Sequence, residues 1–301
     1  MSLPKNPGLE PDPPVNPALH QEHDPESPPP PDHFLSDPIT STAFPASSTA
    51  SPSLPPENPV WTGWDVLQIA FLTIVTLIVL QLVLILGANR FVYRHSSFRV
   101  VSQKPILALL SEFLAYIGVA IYMIALVQGK YRVRFWQAIR WNWSAGAAPK
   151  LLGLGVLMVG LDLLGRFLPM PRSVPFDQFF ARPTDAYLTA AFAITLGPLM
   201  EELFFRGFLY PVLARRMGVV LGVIFTALPF GLVHLVQYGY AWGAVLVIFL
   251  VGMVLTTIRA VTGSVAASFL AHVGYNATLM ALTAVATDGF RHMEKAAVAL
   301  F

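Results

Sequence analysis

The stretch FLTIVTLIVLQLVLILG, residues 71–87, contains no charged side chain and ends an apolar run that begins at about Asp65. About 20 consecutive apolar residues are needed for a helix to cross a hydrocarbon core roughly 30 Å thick. Because lipid offers the backbone no hydrogen-bond partners, a segment at that depth has to satisfy its own polar groups, as a helix does. The stretch therefore predicts a membrane-spanning helix.

Further apolar runs follow along the chain, at 105–127, 150–169, 186–212, 217–237, 239–259 and 263–286. Over the whole sequence, 55% of residues are hydrophobic and 12% are charged, whereas a soluble domain carries roughly twice that charged fraction. We predict an all-α, multi-pass integral membrane protein, a bundle of about seven transmembrane helices. The basic residues fit those that flank membrane spans, so binding to a lipid bilayer is expected and nucleic acid is not.

Residues 1–60 differ sharply from the remainder, because they are rich in Pro and Ser and contain eight acidic residues against one basic residue. Such a segment buries too little apolar surface to offset the entropy lost on ordering, and we predict a disordered tail. The chain then divides into this tail (1–60), N-terminal transmembrane helices (61–169), a second group of transmembrane helices (185–286) and a short C-terminal tail (287–301). The absence of cysteine excludes disulfides, thiolate metal sites and a cysteine nucleophile.

Charged residues at membrane depth are costly and by default mark function. The segment EELFFRGFLY, residues 201–210, carries three of them. Glu202 and Arg206 are four residues apart and share one helix face, where they can pair. Glu201 is rotated by about 100° from that face and is left as a free carboxylate suited to general-base catalysis. The alternative is a structural Glu–Arg pair beside an acid at a helix end.

Two histidines also fall within predicted spans, and each shares a helix face with other candidate residues. Phe230 and His234 are four residues apart, and Ser268, His272 and Asn276 form one stripe. A lone membrane histidine often only bonds a neighbouring helix, which is the simpler reading of each. Together with Glu201, however, two imidazoles and a carboxamide suit the activation of water and the stabilisation of an oxyanion.

The same donors also suit a divalent metal such as zinc, since two histidines and a glutamate form a known catalytic zinc set. If a metal is present, its predicted ligands are Glu201, His234 and His272. No other cofactor is indicated. Asp162 and Arg166, four residues apart, are expected to form an ion pair, and Glu112 has no assigned role.

Three motifs occur in order on successive predicted membrane helices: Glu201-Glu202-x-x-x-Arg206, Phe230-x-x-x-His234 and His272-x-x-x-Asn276. In this order they resemble the CPBP family of intramembrane proteases, which includes type II CAAX prenyl endopeptidases and bacterial bacteriocin-processing or immunity proteins. The resemblance covers roughly residues 185–286, which it implies to be a CPBP-like catalytic helix core.

The resemblance implies a peptidase with a buried hydrolytic site, either a metalloenzyme or a glutamate-dependent one. Its implied catalytic residues are Glu201, Glu202, His234, His272 and Asn276, with Arg206, Phe230 and Ser268 in support. Glu201 would activate water with help from His234, and His272 would support the site or a metal. Asn276 would steady the oxyanion, while Glu202 and Arg206 would hold their helix in register.

The expected activity is endopeptidase cleavage near a membrane-embedded or lipidated C-terminal tail, so the expected partner is a peptide or lipidated protein substrate. The expected location is the bacterial inner membrane. One alternative is a non-catalytic membrane adaptor or bacteriocin-immunity protein that uses the same pocket for binding. Another is a proton-coupled transporter, because Glu and His chains also form proton relays; the repeated or broken helices expected of that class are not evident.

Overall fold

The computed structural model describes residues 57–143, 145–169 and 173–293, apart from the side chains of Ala145 and Arg166. Over these residues the protein is 80% helical and contains no β-strand, which confirms the all-α class. The described residues all belong to one packed unit, Pro52–Phe301. Most of the predicted N-terminal tail and the end of the predicted C-terminal tail, residues 1–56 and 294–301, lie outside them.

The described chain forms a series of α-helices joined by turns, loops and short segments of other helical geometry. The first five are α1 (Gly63–Gly87), α2 (Phe98–Ser102), α3 (Pro105–Ala125), α4 (Phe135–Ala138) and α5 (Ala148–Met158). The next six are α6 (Pro183–Ile194), α7 (Leu196–Glu201), α8 (Tyr210–Met217), α9 (Val219–Leu232), α10 (Trp242–Thr262) and α11 (Val265–Ala286).

Several helices continue in a wider or tighter geometry. The π-helical segments are Ala88–Val92 after α1, Leu126–Lys130 after α3, and Glu202–Leu209 between α7 and α8. The 3₁₀ segments are Ala145–Ala147, Val159–Phe167 and Pro175–Phe180.

Six helical stretches in the described chain are long and apolar enough to cross a membrane, which confirms a multi-pass bundle. They are Gly63–Val92, Pro105–Lys130, Ala148–Gly165, Pro183–Met217, Trp242–Thr262 and Val265–Ala286. The predicted run 217–237 is the exception, because its helix α9 has only 14 residues. After Leu232 the chain makes hydrogen-bonded turns and reverses at Gly239 and Tyr240, both at positive φ, so the apolar run does not become one long helix.

The close packing of α11 on α5 fixes the position of one side of the site. Gly155 and Gly274 lie in the crossing, and a Cβ atom at either one would overlap the backbone of the facing helix. Small residues at helix crossings let two membrane helices approach closely. This contact holds in place the helix that carries His272 and Asn276.

The N-terminal end of the packed unit is bonded to the same core. The indole N–H of Trp61, a residue that is 1% exposed, donates to the Phe208 carbonyl at 3.0 Å. Four residues earlier, Glu57 binds Arg259 on α10 through both carboxylate oxygens, at 2.8 and 3.2 Å, and also binds Arg140 at 3.1 Å. Residues 57–60, which composition assigns to the tail, are therefore held against the helices.

Candidate active site

The helix that carries the charged motif changes its geometry at the motif itself. Helix α7 ends at Glu201, and the π-helical segment Glu202–Leu209 begins at the next residue. Segments of π-helix inside longer helices occur frequently at functional sites. The side chain of Glu201 is 24% exposed, whereas those of Glu202 and Arg206 are fully buried. The two neighbouring acids therefore occupy different environments.

Glu201 faces both membrane-depth histidines, which are brought to it by different parts of the chain. His234 lies just beyond the end of α9, and its Nε2 atom is 3.8 Å from Glu201 Oε1. His272 lies in α11, and its Nε2 atom is 3.6 Å from Glu201 Oε2. The fold thus brings two histidines that are widely separated in the sequence to one carboxylate.

The partners of the other ring nitrogen assign the tautomer of each histidine. His234 Nδ1 is 2.8 Å from the Phe230 carbonyl oxygen, which can only accept, so Nδ1 carries the proton. His272 Nδ1 is 2.9 Å from Glu202 Oε1 and donates to that carboxylate in the same way. In the neutral rings, both Nε2 atoms then present a lone pair to Glu201. A water molecule that donates hydrogen bonds, or a cation, would match these three acceptors.

A second, fully buried network lies directly behind His272. Arg206 Nη1 donates to Glu202 Oε1 at 2.8 Å, and the same oxygen accepts from His272 Nδ1. The i,i+4 spacing of Glu202 and Arg206 predicts this pair. A carboxylate bonded to the remote nitrogen of a functional histidine fixes both its tautomer and its orientation. Glu202 is therefore placed to position His272, with Arg206 balancing its charge.

Helix α10 completes this network with groups that the sequence did not reveal. The Arg206 Nε atom donates to the Thr256 hydroxyl at 3.2 Å, and Nη2 donates to the Gly252 carbonyl at 3.0 Å. Thr256 also donates to that carbonyl, at 2.7 Å. Of the two α10 acceptors, only Thr256 is a polar side chain, which a sequence pattern could have singled out. A backbone carbonyl leaves no such signal.

Phe230 forms the apolar floor of the site. Its ring centroid lies 4.3 Å from Arg206 Cζ, 5.4 Å from the ring of His234 and 5.9 Å from that of His272. The guanidinium lies over the ring face, where the quadrupole of the ring attracts a cation. Phe230 therefore packs simultaneously against the buried charge and both imidazoles.

The other two predicted site residues have mainly local or structural bonds. Asn276 Nδ2 donates to the Ala193 carbonyl at 2.7 Å and so ties α11 to α6, which leaves the second N–H of this amide for another acceptor. Ser268 is buried and donates to the Val265 carbonyl of its own helix at 3.0 Å. The predicted partner of Asp162 was Arg166, whose side chain lies outside the described residues; Asp162 accepts instead from the Tyr275 hydroxyl at 3.1 Å.

The donors around Glu201 have the chemistry of a zinc set, with two imidazole nitrogens and one carboxylate. Among the described residues, however, no group of three or more His, Cys, Asp or Glu side chains has the geometry of a metal site. The chemical match is therefore not accompanied by an assembled ligand cage.

Comparison with known families identifies the part of the chain that holds the site. Residues 183–278 match the family model described as "Type II CAAX prenyl endopeptidase Rce1-like". The range includes every site residue from Glu201 to Asn276, and the match confirms the family resemblance for this part of the chain. The matched family is a family of peptidases.

A curated relative adds a second, shorter similarity. An Escherichia coli protein named "Uncharacterized 24.3 kDa protein" is 33% identical over 129 residues, which is 41% of this chain and 58% of that protein. The chain thus spans somewhat more than half the length of this relative. No solved structure gives a significant match.

Proposed function

We propose that the protein is an intramembrane endopeptidase that hydrolyses a peptide bond near a membrane-embedded or lipidated C-terminal tail. The observation that carries this proposal is the convergence of two imidazole Nε2 atoms on the carboxylate of Glu201. The peptidase family matched by residues 183–278 supports it. The substrate is then a peptide or lipidated protein that reaches the site from the bilayer.

The reaction begins with a water molecule between Glu201 and His234. The water donates hydrogen bonds to the carboxylate and to Nε2 of His234, which orients its oxygen lone pair toward the substrate carbonyl carbon. Glu201 takes one proton from the water as the C–O bond forms, and the tetrahedral intermediate carries the charge on its oxygen. Glu201 then gives that proton to the leaving nitrogen as the C–N bond breaks.

The remaining residues hold this arrangement in place. In this proposal the second N–H of Asn276 donates to the oxyanion, a stabilisation that is stronger in a site shielded from water. Glu202 keeps the proton of His272 on Nδ1, so that its Nε2 faces Glu201 as an acceptor. Phe230 keeps bulk water away from one side of both rings.

A divalent metal such as zinc stays a prediction, with Glu201, His234 and His272 as the side chains that would hold it. If bound, it would polarise the attacking water and the substrate carbonyl. Elemental analysis of the purified protein, before and after dialysis against a chelator, measures whether one equivalent of metal is bound. Comparing Glu201→Gln and His234→Ala with wild type in the same analysis identifies the ligands.

The proposed location is a bacterial inner membrane, in keeping with the Escherichia coli relative and the six apolar helices.

To test the function, purified protein in liposomes is incubated with quenched peptides that do or do not carry a farnesylated C-terminal CaaX tail. Endopeptidase activity releases a short C-terminal fragment, which mass spectrometry identifies. An adaptor or immunity protein would bind the peptide and leave it intact, and that result would overturn the proposal for this substrate class.

A further inference from the structure

A second group of polar side chains lies at membrane depth, outside the site described above. It borders a cavity of about 350 Å³ between α1 and α3. Apolar and polar residues share the cavity wall, and Ile78 on α1 is also exposed on the surface of the bundle. The lining residues are Leu77, Ile78, Gln81, Ala108, Ser111 and Glu112.

Glu112 is the residue in this groove that most needs an explanation. It is a partly exposed carboxylate within a transmembrane helix, where an ionisable group is costly and by default functional. Its Oε1 atom accepts from the Tyr116 hydroxyl at 2.7 Å. Among the described residues, its Oε2 atom forms no hydrogen bond or ion pair. One carboxylate oxygen of Glu112, a residue that lines the groove, is therefore still available as an acceptor.

Gln81, opposite on α1, offers a complementary group. One end of its carboxamide is engaged by the hydroxyl of Ser111. A carboxamide has both a donor and an acceptor end, so the end not bound to Ser111 can serve a ligand in the groove. The groove thus combines a carboxylate, which accepts, with an amide, inside otherwise apolar walls.

The groove is connected to the proposed active site through Tyr116. The Tyr116 ring stacks on Phe192 of α6 with 5.6 Å between centroids, and it packs against the apolar cluster that includes Met200. Met200 directly precedes Glu201. The groove is thus linked through Tyr116 to the segment that carries the reacting carboxylate.

A substrate segment cut inside a membrane has to be extended, which exposes its backbone N–H and C=O groups. In lipid each unsatisfied group costs several kcal/mol. Glu112 can accept a hydrogen bond from a backbone N–H of the substrate. The N–H₂ end of Gln81 can donate to a neighbouring backbone carbonyl of the substrate. Leu77 and Ile78 can contact its apolar side chains or a lipid anchor. These groups match the chemistry of an extended, membrane-anchored polypeptide.

We propose that the α1–α3 groove binds the backbone of an extended substrate segment, with a substrate N–H donating to Glu112. This inference rests on the proposed peptidase function, which it extends by a substrate-binding residue. Glu112 does not take part in the proton transfers of the reaction. Its loss should therefore weaken substrate binding and leave turnover of bound substrate largely intact.

The kinetic test compares Glu112→Leu, Glu112→Asp and wild type in liposomes with the cleavable peptide. A hydrogen bond to a charged group contributes enough to raise KM by about 10-fold or more in Glu112→Leu. We expect kcat to stay within about two-fold and Glu112→Asp to restore part of the loss. Unchanged KM, or a fall in kcat alone, would overturn the inference. The control is Gln68→Leu, which removes a polar side chain of α1 that does not line the groove.

A second measurement does not need cleavage. Because the chain contains no cysteine, Ile78→Cys and Val83→Cys each create a unique thiol, at exposed α1 positions inside and outside the groove lining. A farnesylated peptide with a thiol-reactive group is added to each variant in a Glu201→Gln background. We expect faster labelling at position 78 than at 83, reduced by Glu112→Leu.

The two tests separate failure of the groove from failure of the peptidase proposal. If position 78 is labelled in the expected way but wild type cleaves no peptide, the groove binds polypeptide and the proposed reaction is wrong. If wild type cleaves but both positions are labelled equally, or neither is labelled, the groove inference is wrong and the peptidase proposal stands.

Discussion

Among the side chains that the structure describes, two arginines are buried in the membrane helices, and their glutamate partners come from different parts of the chain. Arg206 and Arg259 are 0% and 1% exposed, and each donates to a glutamate at 2.8 Å. The partner of Arg206 is Glu202, four residues earlier on the same helix. The partner of Arg259 is Glu57, 202 residues earlier, in the segment that precedes the first helix.

The two ion pairs differ in what lies beyond them. Glu202 also accepts a hydrogen bond from His272, and His272 faces Glu201, so the first pair is part of the candidate active site. The second pair joins residues 57–61 to α10 and to Arg140, and among the described residues no hydrogen bond or ion pair links Glu57 or Arg259 to the candidate catalytic side chains. A buried ion pair is weak evidence for stability in itself, although removing one partner is costly. The comparison therefore predicts similar structural costs but different catalytic costs.

Replacing each arginine by methionine should show this difference most strongly. Arg206→Met and Arg259→Met each leave a glutamate without its main partner, and each should lower the free energy of unfolding by about 3–5 kcal/mol. Arg206→Met should also abolish cleavage, because Glu202 would no longer be held beside His272. Arg259→Met should retain the wild-type kcat per folded molecule. Thermal unfolding in detergent and active-site-normalised kinetics are the two measurements.

A smaller effect is expected when only the charge of the glutamate is removed. Glu202→Gln keeps the size of the side chain but weakens the orientation of His272, and substitutions of such supporting residues typically reduce activity by about 10–100-fold. Glu57→Gln is the matched control, with kcat unchanged. Equal kcat values for the two variants would contradict the division between a catalytic and an architectural pair.

The smallest expected effect concerns the packing between α10 and Phe230. A Cβ atom at Gly252 would lie 2.7 Å from Phe230 Cδ1, so Gly252→Ala should displace the ring. Overpacking of this kind costs about 1–3 kcal/mol, and we expect kcat to fall together with stability. Gly118→Ala is the control, because nothing lies within 4 Å of the added atom. Equal stability of the two variants would show that Phe230 has room to move.

The two pairs also show what could be predicted from the sequence. The spacing of Glu202 and Arg206 follows directly from helix geometry, and the rarity of histidine at membrane depth singles out His234 and His272. Neither argument identifies Glu57 as a partner of Arg259. The two residues are 202 positions apart, so their pairing depends on tertiary folding, and Glu57 lies in a Pro-rich, acidic segment. The role of the Gly252 carbonyl as an acceptor for Arg206 could not be predicted for a different reason, because every residue has a backbone carbonyl.

The run 217–237 is a second example in which the sequence pattern does not predict the structure. Its composition is as apolar as that of its neighbours, which predicts a complete span. The length of α9 depends instead on a local reversal at Gly239 and Tyr240, which hydropathy does not report. His234 consequently lies in a turn beyond the helix, and its ring is held there by the Phe230 carbonyl.

The central claim is that Glu201 is the base that activates water, and the kcat of Glu201→Gln tests it most directly. Purified wild type and Glu201→Gln are compared in liposomes with the quenched farnesylated CaaX peptide, with Glu57→Gln as a variant that loses a carboxylate elsewhere. Loss of a general base reduces kcat by about 10²–10⁴-fold, and this is the result we predict for Glu201→Gln alone. Cleavage by Glu201→Gln at the wild-type rate would contradict the account.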